Sequence, residues 1–264
     1  MGSLLRGAAF ITGAGSGIGQ YTAYAFARYG VRQLALCDVR PDALQETSAE
    51  LKTRYPGIEV LNIKMDVSQE SDVDAALAQT VAAFRRVDIA VNNAGIGGQS
   101  PTDQMSLDAW RKTMSVNLDG VWLCQRAQIR QMLTQDLLDP APRGSRGVIV
   151  NVASMLGLVA SAPGTPAVAY TASKHGVMGL TKTDAVMYAP RGIRINAMCP
   201  GYVATPLLKS DTAQAVMAAE VAKVPQGRMG EMEEIADAIS FLASPMSSFM
   251  AGHGLAVDGG YTCQ

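Results

Sequence analysis

No apolar run in the chain approaches the roughly 20 residues that a membrane span requires, so no membrane partner is expected. Charge of one sign is equally missing: 22 lysines and arginines face 23 aspartates and glutamates, a net charge of −1. That balance supplies no electrostatic case for nucleic acid or an anionic surface. Cysteines are few; Cys37, Cys124, Cys199 and Cys263 are dispersed, with no C-x-x-C pair among them. They read as reduced, mostly buried thiols, and neither a disulfide framework nor a zinc site is visible. The two histidines, His175 and His253, lack partners at ligand spacing and read as structural, so no metal is expected. No N-x-[Ser/Thr] sequon occurs, and Arg6 stands where a myristoylation signal after Met1–Gly2 needs Ser or Thr. Strand-like sequence begins by Ala8, which leaves no room for a signal peptide. A soluble, cytoplasmic protein is the expectation.

What is present is a globular composition, 48% hydrophobic and 17% charged. A chain of 264 residues buries roughly 70–75% of its unfolded surface and needs no metal or disulfide for stability. Short apolar segments alternate with longer helical patterns. Strands are expected at Ala8–Thr12, Gln33–Asp38, Glu59–Asp66, Asp88–Asn92, Gly147–Ser154, Arg194–Cys199 and Gly254–Val257. Helices are expected at Ile18–Tyr29, Pro41–Arg54, Ser71–Phe84, Tyr170–Tyr188, Pro206–Val224 and Met232–Ala243. A further helical stretch, Ser106–Leu138, should break near Asn117–Gly120. Continuously apolar strands joined by helices imply a parallel sheet covered on both faces, an α/β fold of the doubly wound Rossmann type. The Pro- and Gly-punctuated loop Asp139–Gly147 is too short to separate domains, so one domain over residues 1–264 is expected.

Between the first strand and first helix lies Thr12–Gly13–Ala14–Gly15–Ser16–Gly17–Ile18–Gly19. Its glycines permit a tight turn and close backbone approach to a diphosphate, which would rest on the helix N-terminus. Asp38 follows the last glycine by 38 − 19 = 19 residues. An acidic group at about that distance accepts hydrogen bonds from an adenosine ribose and repels a 2′-phosphate, which favours NAD. Arg40, two positions on, could bind such a phosphate and keeps NADP open. Further along, Tyr170 and Lys174 stand four residues apart at the start of an expected helix, one turn apart on the same face. An ammonium beside a phenol favours the phenolate, so Lys174 is expected to lower the pKa of Tyr170 toward neutrality.

With these residues in view, the chain from about Ala8 to Gly260 resembles the short-chain dehydrogenase/reductase family. The glycine segment is similar to that family's T-G-x-x-x-G-[IL]-G pattern, and Asp66–Val67 to its adenine-contacting pair. Asn92–Asn93–Ala94–Gly95 matches the N-N-A-G segment that supports the sheet and borders the cofactor ribose. Asn117 falls at the helix-kinking Asn of the proton relay, Ser154 at the catalytic Ser, and Tyr170 and Lys174 at Y-x-x-x-K. Pro200–Gly201–Tyr202–Val203–Ala204–Thr205 resembles P-G-x-[VI]-x-T, where the Val203 backbone would hold the carboxamide and Thr205 would contact the cofactor. Asp258–Gly259–Gly260 resembles the C-terminal D-G-G. Three departures stand out: a 16-residue spacing from Ser154 to Tyr170, Ala153 in place of a frequent Ser, and the long loop Asp139–Gly147. Ser161 is a weaker rival to Ser154.

The resemblance implies hydride transfer between a nicotinamide cofactor and a secondary alcohol or ketone. Tyr170 would move the proton, Lys174 would tune it and hold the ribose, Ser154 would bind the substrate oxygen, and Asn117 would link Lys174 to solvent. Met155, Leu156, Val159, Tyr202 and a lid over 206–224 would line the pocket. The lid's Leu207, Leu208, Val216, Met217 and Val221 suggest a hydrophobic small molecule, though the same stripe could be the core face of a helix. An NADPH-dependent carbonyl reductase is the alternative enzyme, and a dinucleotide-binding scaffold without turnover is the alternative from another class. The family also implies a homotetramer or homodimer, with Gly176 and Gly179 permitting close helix packing.

Overall fold

The computed structural model describes residues 3–138, 142–205 and 218–264. Among the described residues, seven strands, β1 (Ala8–Thr12), β2 (Gln33–Asp38), β3 (Glu59–Lys64), β4 (Ile89–Asn92), β5 (Gly147–Val152), β6 (Ile193–Pro200) and β7 (Gly254–Val257), form one sheet. All pair in parallel, in the order β3-β2-β1-β4-β5-β6-β7. The helices are α1 (Gly17–Arg28), α2 (Pro41–Arg54), α3 (Glu70–Phe84), α4 (Leu107–Met114), α5 (Gly120–Met132), α6 (Val168–Tyr188) and α7 (Met232–Ala243). The fold is the doubly wound one expected, and most elements fall within two residues of the sequence reading. The exceptions are Leu133–Leu138, which leaves the helix in turns and hydrogen-bonds around the start of β5, and the expected helix Pro206–Val224, which lies outside the described residues up to 217 and ends in turns at 222–224.

Successive strand residues point to opposite faces, and both faces are dry. Ala9, Ile11, Leu34, Leu36 and Val91 join Phe26, Ile239 and Leu242 under α1, α2 and α7. Phe10, Ala35, Ala90, Ile149 and Ile195 join Val73, Cys124 and Met132 under α3 and α5. The strand order reverses between β1 and β4, which opens a crevice beyond their carboxyl ends.

A buried polar ladder sets how α5 and α6 lie on the sheet beside that crevice. Asn92 exchanges two hydrogen bonds with Gln128 (3.1 and 2.7 Å) and donates to Asn151 (2.9 Å). Asn151 in turn donates to Gln125 (2.7 Å) and Thr181 (2.9 Å). Each amide in low dielectric is costly unless paired, so the ladder favours one placement of the helix that carries Tyr170. The break foreseen near Asn117–Gly120 is a π-turn over Ser115–Asp119 that joins α4 to α5. Such turns insert one residue into a helix and re-aim a side chain. Directly after it, Gly120 lets the helix approach Val67, whose Cγ2 a Cβ would meet at 2.7 Å.

Candidate active site

The turn after β1 is built from glycine. Gly13 and Gly17 adopt φ of +65° and +59°, a region L side chains rarely occupy, and a Cβ on Gly19 would fall 2.2 Å from the Gly13 carbonyl. Among the described residues, the amides of Ser16, Gly17, Ile18 and Gly19 donate to no protein acceptor. Four free N–H groups at the positive end of α1 are the donor set that a diphosphate requires. The Asp38 carboxylate borders the cradle, accepting from Gly15 N through Oδ2 (3.0 Å) and from Arg40 N through Oδ1 (3.0 Å). Arg40 folds back to donate to Ser16 Oγ (2.7 Å).

Across the crevice, the Thr12 hydroxyl accepts from the amides of Asn93 (2.9 Å) and Ala94 (3.0 Å). The Asn93 side chain returns a bond to Thr12 O (2.9 Å), which fastens the segment after β4 to the glycine turn. Asp66 takes Ser68 N (2.9 Å) and Ser68 Oγ (2.7 Å), and the hydroxyl bond holds its carboxyl below the usual range. Val67 is buried beside Gly120.

Ser154, Tyr170 and Lys174 meet at the carboxyl end of β5. Lys174, 3% exposed, donates to Val152 O (2.7 Å) and so ties α6 to the strand end just before Ser154. Gly157 lets the following loop lie on α6, since a Cβ there would sit 2.8 Å from Lys174 O. The Ser154 hydroxyl accepts from Leu156 N (3.1 Å). Burial pushes the Tyr170 phenol above its usual value. Burial also brings the Lys174 ammonium down to about 8.

The expected lowering of the Tyr170 pKa by Lys174 is therefore corrected. The ammonium lies 5.5 Å from the phenol ring centroid and is engaged by a backbone carbonyl, so desolvation decides the shift. Asn117, fully buried, closes on the backbone of Ile96: Nδ2 donates to its carbonyl (2.9 Å) and Oδ1 accepts its amide (2.8 Å). A Cβ built on Gly95 would lie 3.3 Å from Asn117 Oδ1 and 3.8 Å from Lys174 Nζ, so these three positions converge. The rival Ser161 accepts from Ala167 N (3.2 Å) within its own loop.

Beyond β6, Gly201 passes so close to Asp258 that a Cβ would meet its Cα at 2.6 Å. Val203 bridges to Gly230, and Ala204 N donates to Gly230 O (3.0 Å), holding Pro200–Thr205 along the crevice. Residues 206–217 of the expected lid, with Leu207, Leu208, Val216 and Met217, lie outside the described residues. Its end is anchored: buried Glu220 accepts from the Tyr261 phenol (2.8 Å) and from Lys223 (2.7 Å), and Tyr261 meets Tyr202 edge-on at 5.4 Å.

A family model described as enoyl-(acyl carrier protein) reductase matches residues 13–262. The chain is 41% identical to the cis-4-hydroxycyclohexanecarboxylate dehydrogenase of Sinomonas cyclohexanicum, over 96% of each chain. It is 40% identical to the short-chain dehydrogenase srdC of Neurospora crassa, over 98% of this chain and 97% of that one. A crystal structure of a short-chain type dehydrogenase/reductase from Mycobacterium marinum superposes with a TM-score of 0.88 at 37% identity, covering 98% of this chain and 96% of that one. The chain belongs to the short-chain dehydrogenase/reductase family. It is accordingly an oxidoreductase acting on an alcohol or a ketone, and dehydrogenases of this family use a nicotinamide cofactor.

For a short-chain dehydrogenase/reductase, the sequence located the motif residues and missed the groups that hold them. Thr12, Val152, Ile96, Glu220 and Tyr261 each complete a contact above. Only Thr12 carried a local signal, as a hydroxyl ending the strand that opens the glycine turn. No helix among the described residues is long and apolar enough to cross a membrane.

Proposed function

We propose that this chain transfers a hydride between a secondary alcohol or ketone and a nicotinamide cofactor, NAD(H) in preference to NADP(H), with Tyr170 as the proton donor and acceptor. The observation that carries the reading is the gathering of Ser154, Tyr170 and buried Lys174 at the carboxyl end of β5, beside the crevice lined by the free amides of α1.

Gly13, Ser16, Gly17, Ile18 and Gly19 hold the diphosphate, and Asp38 accepts from the adenosine ribose. Asp66 and Val67 border the adenine, Asn93, Ala94 and Gly95 border the second ribose, and Pro200, Gly201, Val203 and Thr205 flank the nicotinamide. When bound, the nicotinamide supplies the hydride donor or acceptor. Ser154 holds the substrate oxygen and stabilises charge developing on it. Tyr170, a neutral phenol at neutral pH, gives its proton to that oxygen in reduction and takes one from the alcohol in oxidation. Lys174, through its bond to Val152 O, fixes α6 and with it Tyr170 at the carboxyl end of β5, and it would hold the nicotinamide ribose. Asn117 fixes the loop after β4 against α6 and belongs to the path by which Lys174 exchanges protons with solvent.

A hydrophobic, cyclic alcohol or ketone is the substrate class supported by a relative named for a hydroxycyclohexane carboxylate and by the apolar walls Met155, Leu156, Val159 and Tyr202. The Arg40–Ser16 contact favours a second reading, in which the same guanidinium receives the 2′-phosphate of NADPH. A homotetramer or homodimer is supported by exposed Trp122, Val186 and Met187 on α5 and α6, with Gly179 open toward solvent. Gly176 instead packs on Leu118 of its own chain.

Fluorescence titration with NADH and NADPH, followed by turnover of cyclic secondary alcohols and ketones, tests the reading. Tighter NADH binding and measurable turnover are expected. Tighter NADPH binding overturns the cofactor preference, and no turnover with either cofactor overturns the activity.

A further inference from the structure

The amino-terminal edge of the sheet, opposite Ser154 and Tyr170, carries a second cavity of about 40 Å³. Its walls are the starts of β4, β5 and β6, the residues before β1, and the turn after α7. Arg194, the second residue of β6, lies in this wall and is only 9% exposed. Its Nη2 donates to Ser244 O (3.0 Å), whereas Nη1 is buried and has no partner among the described residues. Arg143 reaches the same cavity from the loop before β5, donating Nε to Ser248 Oγ (3.2 Å) and Nη2 to Pro245 O (2.5 Å).

Neither guanidinium has a carboxylate within ion-pair reach among the described residues. The one carboxylate in the wall among the described residues, Asp88, is already taken by Ala8 N (2.9 Å) and by Arg86 Nε (2.6 Å). Arg6 also stands in the wall, so three arginines and one carboxylate line the cavity among the described residues, and Arg194 is desolvated. Desolvation without a partner is visible in Arg194 itself, which burial brings down to about 10. A single water needs roughly 10–15 Å³ on this measure, so the space fits about three waters or one compact anion.

We propose that this cavity binds a small oxyanion of the phosphate class, held between the guanidiniums of Arg194 and Arg143, with Ser145 and Ser248 at its rim. Arginine forks match the geometry of a phosphoryl group, and the buried Nη1 donates to it where no protein acceptor does. The site is separate from the diphosphate cradle on α1, at the other end of the strands. An occupant would join β6, the turn after α7 and the loop before β5, and so add to stability through mass action.

Isothermal titration and thermal unfolding of the full chain test this, with inorganic phosphate and glycerol 3-phosphate as separate probes against sodium chloride at equal ionic strength. Saturable binding with a raised unfolding midpoint is expected; binding of inorganic phosphate marks a free ion, and binding of glycerol 3-phosphate alone marks a phosphoryl group carried on a metabolite. Arg143→Gln, at an exposed loop position, should weaken the binding roughly tenfold, as loss of a charged hydrogen-bond donor does. Arg194→Met should abolish it. A response to both probes no larger than that to chloride, or undiminished binding in Arg143→Gln, overturns the proposal.

Discussion

Replacing Lys174 by methionine should remove activity and raise stability, and the size of the gain follows from the burial of one ammonium. Lys174 is 3% exposed and its pKa falls from 10.5 to about 8. At about 1.4 kcal/mol per tenfold, keeping that charge inside the folded chain costs about 3 kcal/mol at neutral pH. Methionine has a similar length and no charge, but leaves the Val152 carbonyl without its donor, a loss of about 1 kcal/mol. The variant should therefore be more stable by about 2 kcal/mol at neutral pH, by combination of those two effects. The gain depends on pH with a definite sign. The unfolded chain keeps the lysine proton up to 10.5, whereas the folded chain releases it above about 8. The unfolded state thus binds more protons between those values, and wild-type stability rises with pH across them. The advantage of Lys174→Met should shrink over the same window. Urea unfolding at neutral pH and at several alkaline values reads both effects. A variant less stable at neutral pH, or a difference that stays constant through the window, would refute the reasoning.

Other substitutions separate holding from chemistry. Asn117→Ala strands both backbone groups of Ile96 and should cost about 2–4 kcal/mol, read as a lower unfolding midpoint. Asp38→Ser should weaken NADH binding by about tenfold while improving NADPH, since Arg40 then meets no competing carboxylate; fluorescence titration with both cofactors measures the ratio. Ser154→Ala should lower kcat by about 10²–10³ with cofactor affinity unchanged, which steady-state kinetics resolves.

The parts of this protein legible in sequence are those encoded over a few neighbouring residues. Gly13 to Gly19 announces a turn because backbone freedom is a property of each glycine. Tyr170 and Lys174 fall on one face because a helix repeats every turn. The break at Asn117 was legible as a position, though its π geometry depends on the contact with Ile96, 21 residues away. What was hidden depends on distant pairing. Val152 captures the Lys174 ammonium 22 residues along the chain, and Tyr261 reaches Glu220 across 41. The direction of the Tyr170 shift is not legible in sequence for the same reason: spacing places the charge nearby, but only packing decides whether desolvation outweighs it. The Asn92–Asn151 ladder likewise spans 59 residues and has no local pattern.

Single-turnover reduction of a cyclic ketone by wild type and Tyr170→Phe, followed through nicotinamide absorbance at saturating cofactor, tests the central claim most directly. The account predicts hydride transfer slower by about 10²–10⁴ in the variant, with cofactor affinity within about threefold of wild type. Transfer at the wild-type rate in Tyr170→Phe would contradict it.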